Sequence, residues 1–248
     1  MLAAHCRSPN GSPKLPRMTT PLLIESQFPI VDRSKIQLFS LNTPNGIKVA
    51  VGLEELQIPY EAHTVHIGKG EQFTDAFKSI SPNSKIPAIV DLDGPGGQPF
   101  ALMESGAILI YLAERAGRLL PTDPTQRFKC LQWLFFQVGH IGPMFGQFGH
   151  FFKYARDKCD HPYPLERYTN EAKRLLGVLE HELSDKDYLI GEYTIADIAT
   201  APWVIALGTS YGAADVLPLS EFPHVKAWVD RIVLRPAYQI GKDVAKLG

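Results

Sequence analysis

Residues 85–90 read Lys-Ile-Pro-Ala-Ile-Val, so that Pro87 lies inside a run that is otherwise typical of a buried β-strand. Proline has no N–H for a strand ladder, and within sheets it is confined to an edge, to a strand start or to a cis bond. One interpretation is a cis bond between Ile86 and Pro87 that presents the Ile86 backbone to a peptide ligand by strand-like pairing. A simple edge proline is equally compatible with this position taken alone.

The residues around this run alternate between strand-like and helix-like patterns. The Asp-Gly-Pro-Gly-Gly cluster at 93–97 predicts a turn within a hairpin, and Gly117 stands where a helix C-cap requires positive φ. The order strand-helix-strand-helix-strand-strand-helix predicts a small mixed sheet flanked by helices. We expect strands at 36–39, 60–67, 86–92 and 99–103, and helices at 46–56, from Gln72 (with Phe73, Phe77 and Ile80 at helical spacing) and from Ser105.

The second half of the chain shows helical periodicity, over 126–154 and 164–183, with little sign of strands. Pro143 predicts a kink, which would either open an apolar cleft towards the first domain or reflect close packing around small residues. The stretch from Thr194 to Asp197 has the pattern of a capping box that fixes the start of a buried helix.

These patterns divide the chain into domains. We expect an N-terminal extension outside the main core, in which Met18 is a candidate for the true start. The predicted boundaries are 1–34 for the extension, 35–119 for the α/β domain, 120–126 for a linker around two prolines, and 127–248 for the all-α domain.

Composition excludes several classes of function. A length of 248 residues suits two domains, and a net charge of -1 argues against nucleic acid as a partner. No apolar run is long enough to cross a membrane and the N-terminus does not resemble a signal peptide, so we expect a cytoplasmic protein. Neither the cysteines nor the histidines have the spacing of a disulfide framework or a metal site: Cys6, Cys130, Cys159, His140 and His150.

Two polar motifs stand at predicted helix starts. Glu104 and Ser105 would offer a carboxylate for an ammonium group, and a hydroxyl with free N–H groups for an anion, which suits an α-amino acid. Plain helix capping by Ser105 is the alternative. Thr43-Pro44-Asn45-Gly46 would place a ligand atom at another helix start, or serve only as a capped turn.

The motifs together resemble the glutathione transferase superfamily in order and spacing. The resemblance is carried by Lys85-Ile86-Pro87, by Glu104-Ser105-Gly106-Ala107-Ile108 and by the later capping box. Further stretches are similar to the nu class of disulfide-bond oxidoreductases, a branch that also resembles a fungal nitrogen regulator: Thr43-Pro44-Asn45-Gly46, Ser81-Pro82-Asn83 and Gln132-Trp133-Leu134. The implied fold is an α/β thioredoxin-like N-terminal domain followed by an all-α C-terminal domain.

The resemblance implies a homodimer that binds glutathione as a co-substrate, as two molecules or in the oxidised form. It places the γ-glutamyl end at Glu104 and Ser105, and the cysteinyl peptide at the backbone of Ile86 before Pro87. The other glutathione-binding residues that it implies are Gln72 and Lys85, near the glycyl carboxylate, and Arg167, which would help to hold the second glutathione.

The activity implied is glutathione-dependent disulfide reduction, with weaker conjugation of electrophiles or peroxide reduction. Asn45 and Thr43 occupy the positions at the sulfur. The Asn45 amide cannot act as a base, but its N–H can donate to a thiolate and so favour ionisation, with Thr43 as a second donor. A non-enzymatic glutathione-binding regulatory module and a ligand carrier are the alternatives, and the identity of the disulfide or electrophile stays open.

Overall fold

The computed structural model describes residues 21–247, which form the predicted α/β thioredoxin-like domain followed by a helical domain. The strands are β1 (Ile36–Ser40), β2 (Tyr60–Thr64), β3 (Ala88–Asp91) and β4 (Phe100–Met103). The helices are α1 (Pro44–Leu56), α2 (Asp75–Lys78), α3 (Ser105–Ala116), α4 (Pro124–Phe136), α5 (Gly142–Gly149), α6 (Pro162–Glu182), α7 (Ile195–Gly208), α8 (Pro223–Val233) and α9 (Pro236–Gly241).

The four strands form one mixed sheet in the order β2-β1-β3-β4. β1 is parallel to β2 and antiparallel to β3, with Leu38 opposite Ala62 on one side and Ile89 on the other. Because side chains alternate along a strand, Leu38 and Ile89 face α1 and α3, where they pack with Leu53 and Ile108. α1 and α3 therefore cover one face of the sheet.

The opposite face of the sheet is covered partly by the segment that we predicted to lie outside the core. Ile24, in a single 3-10 turn at Leu23–Ser26, is fully buried against Phe39, Phe77 and Val90. The prediction is therefore wrong for this segment, because a turn of four residues is too short to show a hydrophobic period. The candidate start at Met18 lies outside the described residues, and the domain boundaries stay a prediction.

The helix predicted from Gln72 is also wrong as a continuous element. A 3-10 turn at Glu71–Phe73 is followed by the short α2, because Thr74 begins the helix anew by accepting a hydrogen bond from the N–H of Phe77 at 3.1 Å. Phe73 is 60% exposed, whereas Phe77 and Ile80 are buried as their spacing predicts.

The long helix predicted over 126–154 is interrupted by π-helical turns at Gln137–Ile141 and His150–Tyr154. In the first turn the N–H of Gly142 donates to the carbonyl of Gln137, one residue beyond the α-helical spacing. Pro143, which has no N–H to donate, follows directly. The predicted kink therefore takes the form of a widened turn between α4 and α5.

The predicted capping box is present at the start of α7. Asp197 is fully buried and accepts hydrogen bonds from the N–H groups of Thr194 (2.9 Å) and Leu189 (3.0 Å) and from the indole of Trp228 (2.9 Å). Burial nevertheless raises the pKa of Asp197 to about 6. Through these hydrogen bonds the Asp197 carboxylate links α8 with the loop that precedes α7.

Some features are not found among residues 21–247. Cys130 and Cys159 are free thiols, and no cluster of three His, Cys, Asp or Glu side chains in this range is arranged to hold a metal ion. None of the helices in this range has the length and hydropathy needed to cross a membrane.

We expect Ile24→Ala to lower the free energy of unfolding by about 2 to 5 kcal/mol, because it empties a buried site between the sheet and its N-terminal cover. Leu23→Ala, on the same turn but at a side chain that is 57% exposed, should change it by less than about 0.5 kcal/mol. Urea unfolding of the two variants measures the difference, and equal effects would show that the turn does not belong to the core.

Candidate functional site

Two adjoining cavities lie where the sheet domain meets the helical domain. One, of about 280 Å³, is lined by the loop before β3 and by the start of α3. The other, of about 310 Å³, is lined by the first π turn, α5 and α7. Asn45, Glu104 and Ser105 line both cavities, so the two form one continuous site.

The first cavity is bordered by the loop that contains Pro87. The bond between Ile86 and Pro87 is cis, as one of the two interpretations predicts. β3 begins only at Ala88, and no hydrogen bond between described residues uses the backbone N–H or C=O of Ile86. The hydroxyl of Ser81 donates to the carbonyl of Lys85 at 2.8 Å and so stabilises the loop before β3. The Ile86 backbone is therefore available to pair with an extended peptide.

The start of α3 lies between the two cavities and lines both of them. Glu104 is the N-cap residue, with φ 71° and ψ 110°, and no side chain caps the helix. Ser105 is the first helical residue, and its hydroxyl oxygen accepts a hydrogen bond from Nζ of Lys48 at 3.3 Å. Plain capping by Ser105 is therefore not what the structure shows. The free N–H groups suit an anion and the exposed Glu104 carboxylate suits a cation.

Asn45 is held in a defined orientation by the helical domain. Its Oδ1 accepts a hydrogen bond from the indole N–H of Trp203 at 3.0 Å. Because an indole can only donate, the oxygen of the amide must face Trp203, which leaves the Asn45 NH2 group for a ligand. Thr43 instead caps α1 by accepting from the N–H of Gly46 at 3.4 Å, and it is not among the residues that line either cavity.

Lys48 is a site residue that the sequence analysis missed. Its side chain is 2% exposed, and Nζ donates to Oε1 of Gln137 at 2.7 Å as well as to Ser105. Burial lowers the pKa of Lys48 to about 7, against the opposing effect of the Glu104 carboxylate. No local pattern in the sequence marks it, because its partners Ser105 and Gln137 lie 57 and 89 residues further along the chain.

The other predicted residues divide between this site and the rest of the surface. Lys85 lines the first cavity with Ile86 and Pro87. Gln72 lines neither cavity, although its Oε1 is buried without a hydrogen-bond partner among the described residues. Arg167 lies on α6, in a separate cavity of about 340 Å³. The structure thus brings together most of the predicted set and keeps Thr43, Gln72 and Arg167 outside the two cavities.

Comparison with known proteins assigns this architecture. Residues 43–115 match the N-terminal domain of glutathione S-transferase, and residues 142–236 match its C-terminal domain. The chain belongs to the glutathione S-transferase family. The family resemblance inferred from the sequence is thereby confirmed, and the protein is an enzyme of that family.

Several relatives of this family member have known names or structures. The disulfide-bond oxidoreductase YfcG of Escherichia coli is 47% identical over 215 residues, which cover 86% of this chain and 97% of that protein. A glutathione transferase family member from Pseudomonas fluorescens, solved with two glutathione bound, is 50% identical with a TM-score of 0.89 and covers 91% of this chain and 100% of its own. A Pseudomonas putida glutathione transferase, solved with one glutathione disulfide per subunit, is 48% identical with a TM-score of 0.87, over 89% of this chain and 96% of its own.

We expect Gly46→Ala to lower the free energy of unfolding of this glutathione S-transferase by about 2 kcal/mol or more. A Cβ at Gly46 would overlap the backbone oxygen of Leu41, so α1 would have to move away from β1 and displace Asn45. Gly177→Ala is the matched control, because it is also helical but has nothing within 4 Å of the new Cβ. That change should stabilise the protein by up to about 1 kcal/mol through helix propensity. Equal effects in urea unfolding would contradict the close approach at Gly46.

Proposed function

We propose that this enzyme is a glutathione-dependent disulfide-bond oxidoreductase of the nu class. The observation that supports this most is the orientation of Asn45, whose amide N–H groups are left facing the junction of the two cavities. Neither cavity is lined by a cysteine of the described residues, and the thiol of Cys130 is buried with a raised pKa. The protein therefore does not supply the reacting thiol, which is that of bound glutathione.

The first cavity provides the groups that glutathione needs. The ammonium of the γ-glutamyl end would bind the Glu104 carboxylate, and its carboxylate would bind Ser105 and the free N–H groups of α3. The cysteinyl residue would pair with the backbone of Ile86, next to Pro87, as an added strand does. Lys85 would approach the glycyl carboxylate. Gln72 lines neither cavity and would contribute at that end from outside, by its amide NH2 group, because an amide oxygen cannot donate to a carboxylate.

Disulfide exchange then follows from the groups at the cavity junction. The Asn45 amide and the N-terminus of α1 favour the thiolate of glutathione over the thiol. This thiolate attacks one sulfur of the substrate disulfide, so that a mixed disulfide forms and the other sulfur leaves as a thiolate. A second glutathione thiolate attacks the mixed disulfide, which yields glutathione disulfide and releases the second substrate thiol. Thr43 lines neither cavity, so its hydroxyl, whose oxygen accepts from Gly46, would be only a weaker and more distant donor to the sulfur.

The second glutathione would approach from the helical domain, where Arg167 and Arg174 lie on one face of α6. The relatives solved with two glutathione or with glutathione disulfide support this stoichiometry. Weaker conjugation of electrophiles and reduction of peroxides would use the same thiolate. We place the enzyme in the cytoplasm, because net disulfide reduction by glutathione requires a compartment in which the glutathione pool is reduced.

The test of this function is reduction of bis(2-hydroxyethyl) disulfide, coupled to glutathione reductase. We expect Asn45→Ala to lower kcat/KM by about 10- to 100-fold, which is the loss of one hydrogen bond to a charged sulfur. Ser105→Ala should act mainly by raising the KM for glutathione. Ser184→Ala, an exposed serine at the end of α6, is the control and should leave the rates unchanged. Full activity in Asn45→Ala would contradict the thiolate role, and glutathione binding without turnover would favour a regulatory binding module.

We also propose that the enzyme is a homodimer. Phe128 and Phe135 lie seven residues apart on α4, so they share one face, and they are 71% and 66% exposed. Large aromatic side chains grouped on a surface are typical of a protein interface.

We expect Phe128→Glu with Phe135→Glu to shift the protein from dimer to monomer in sedimentation velocity at micromolar concentration, because each charge would be buried in the interface. Phe73→Glu, at a phenylalanine that is 60% exposed in the sheet domain, should leave the dimer intact. A monomeric wild-type protein, or a dimer that survives the double substitution, would contradict the proposed interface.

A further inference from the structure

The buried amine of Lys48 takes no part in the mechanism described so far. Its ammonium is enclosed between the two domains, where α3 presents Ser105 and the π turn presents Gln137. Two hydrogen bonds do not replace the hydration that an ammonium loses on burial. Whether Lys48 carries a charge therefore depends on what else occupies the site.

The groups that face Lys48 come from each element packed around it. α3 presents Glu104 and Ser105, the π turn presents Gln137, and α7 presents Trp203, whose ring centre lies 6.0 Å from Nζ. Among these, Glu104 alone is charged, and it lies at the exposed surface of the cavity. When the ammonium of glutathione binds Glu104, that carboxylate is neutralised, and the remaining charge nearest to Lys48 is the γ-glutamyl carboxylate at Ser105.

Gln137 adds an independent sign that the site is completed by a ligand. Its side chain is fully buried and lines the second cavity, yet its Nε2 has no hydrogen-bond partner in the described part of the chain. The amide oxygen of Gln137 accepts from Lys48, which directs this unused donor away from the lysine. A Cβ at Gly142 would lie 2.9 Å from the same nitrogen, so the glycine keeps open the space in front of it. A buried donor of this kind requires an acceptor, and an anionic ligand supplies one.

We propose that Lys48 is a positioning residue that takes up a proton when an anionic group of glutathione binds at the start of α3. This inference rests on the proposed glutathione site. Lys48 donates to the oxygen of Ser105, so the Ser105 hydroxyl is left to donate its own proton to the ligand carboxylate. Gln137 holds Nζ in place from the helical domain. The affinity for glutathione is thereby coupled to the charge on one buried amine.

The direction of the pH dependence follows from linkage. In the free protein the pKa of Lys48 is about 7, so at pH 8 the amine is mostly neutral. A bound carboxylate favours the ammonium and raises this pKa, so binding at pH 8 takes up a proton. Affinity is then highest below pH 7 and falls as the pH rises above it. For a bound pKa of about 8.5, Kd should increase about ten-fold between pH 6.5 and 8.5.

The experiment is calorimetric titration with S-methylglutathione, which cannot react and has no thiol to ionise. Titration at pH 8 in two buffers of different ionisation enthalpy gives the number of protons exchanged. We expect wild type to take up on the order of half a proton and to show the ten-fold change in Kd. Lys48→Met should bind more weakly at pH 6.5, with no proton uptake and a flat pH profile. Lys48→Arg keeps its charge at every pH, so its Kd should also be independent of pH. At pH 8.5 this variant should bind more tightly than Lys48→Met.

Two further variants keep the test decisive if Lys48→Met folds poorly. Gln137→Glu places a carboxylate beside Nζ and should abolish proton uptake by keeping Lys48 charged in the free protein. Lys173→Met, on the exposed face of α6, should behave as wild type. Binding of S-methylglutathione without proton uptake and with a flat profile would overturn the role of Lys48 and leave the disulfide reductase proposal intact. An absence of binding at every pH would overturn both.

Discussion

The packing of α1 between the two domains is the constraint on which the rest of the structure depends. Leu53 of this helix belongs to the core beneath the sheet, whereas Val51 belongs to the core of the helical domain. α1 is packed closely on more than one side. A Cβ at Gly46 would overlap the backbone after β1, and a Cβ at Gly241 of α9 would lie 2.7 Å from Val51 of α1. α1 therefore has little freedom to move relative to either domain, and the first turn of α1 is fixed with it.

The polar groups of the site depend on this placement. Asn45 and Lys48 both extend from α1 towards the helical domain, where they meet Trp203 and Gln137. At the other end of α1, Glu55 forms an ion pair with Arg235. A buried polar group is costly unless it has partners, so a cavity wall that holds the Lys48 amine and the free Gln137 amide donor is less stable without a ligand than with one. The helical domain thus sets the orientation of groups that the sheet domain carries.

The sequence predicted those features whose cause is local. Pro87 breaks a strand rule, and the structure shows the cis bond that was one of its two interpretations. The pair Glu104-Ser105 was expected at a helix start, and α3 begins there, although without the capping by Ser105 that was the alternative. Ile24 and Lys48 have no such local signature. Ile24 is buried in a turn too short to have a period, and Lys48 is buried by residues distant in the sequence, among them Gln137, 89 positions further along the chain. Such long-range contacts cannot be inferred from periodicity.

A crystal structure of the enzyme with glutathione disulfide tests most directly whether Asn45 faces the sulfur of the bound ligand. We expect the γ-glutamyl end at Glu104 and Ser105, the cysteinyl amide paired with the Ile86 backbone, and a sulfur atom within about 3.5 Å of the Asn45 amide nitrogen. A ligand bound elsewhere, or a sulfur atom that contacts another group while Asn45 stays on Trp203 alone, would contradict this expectation.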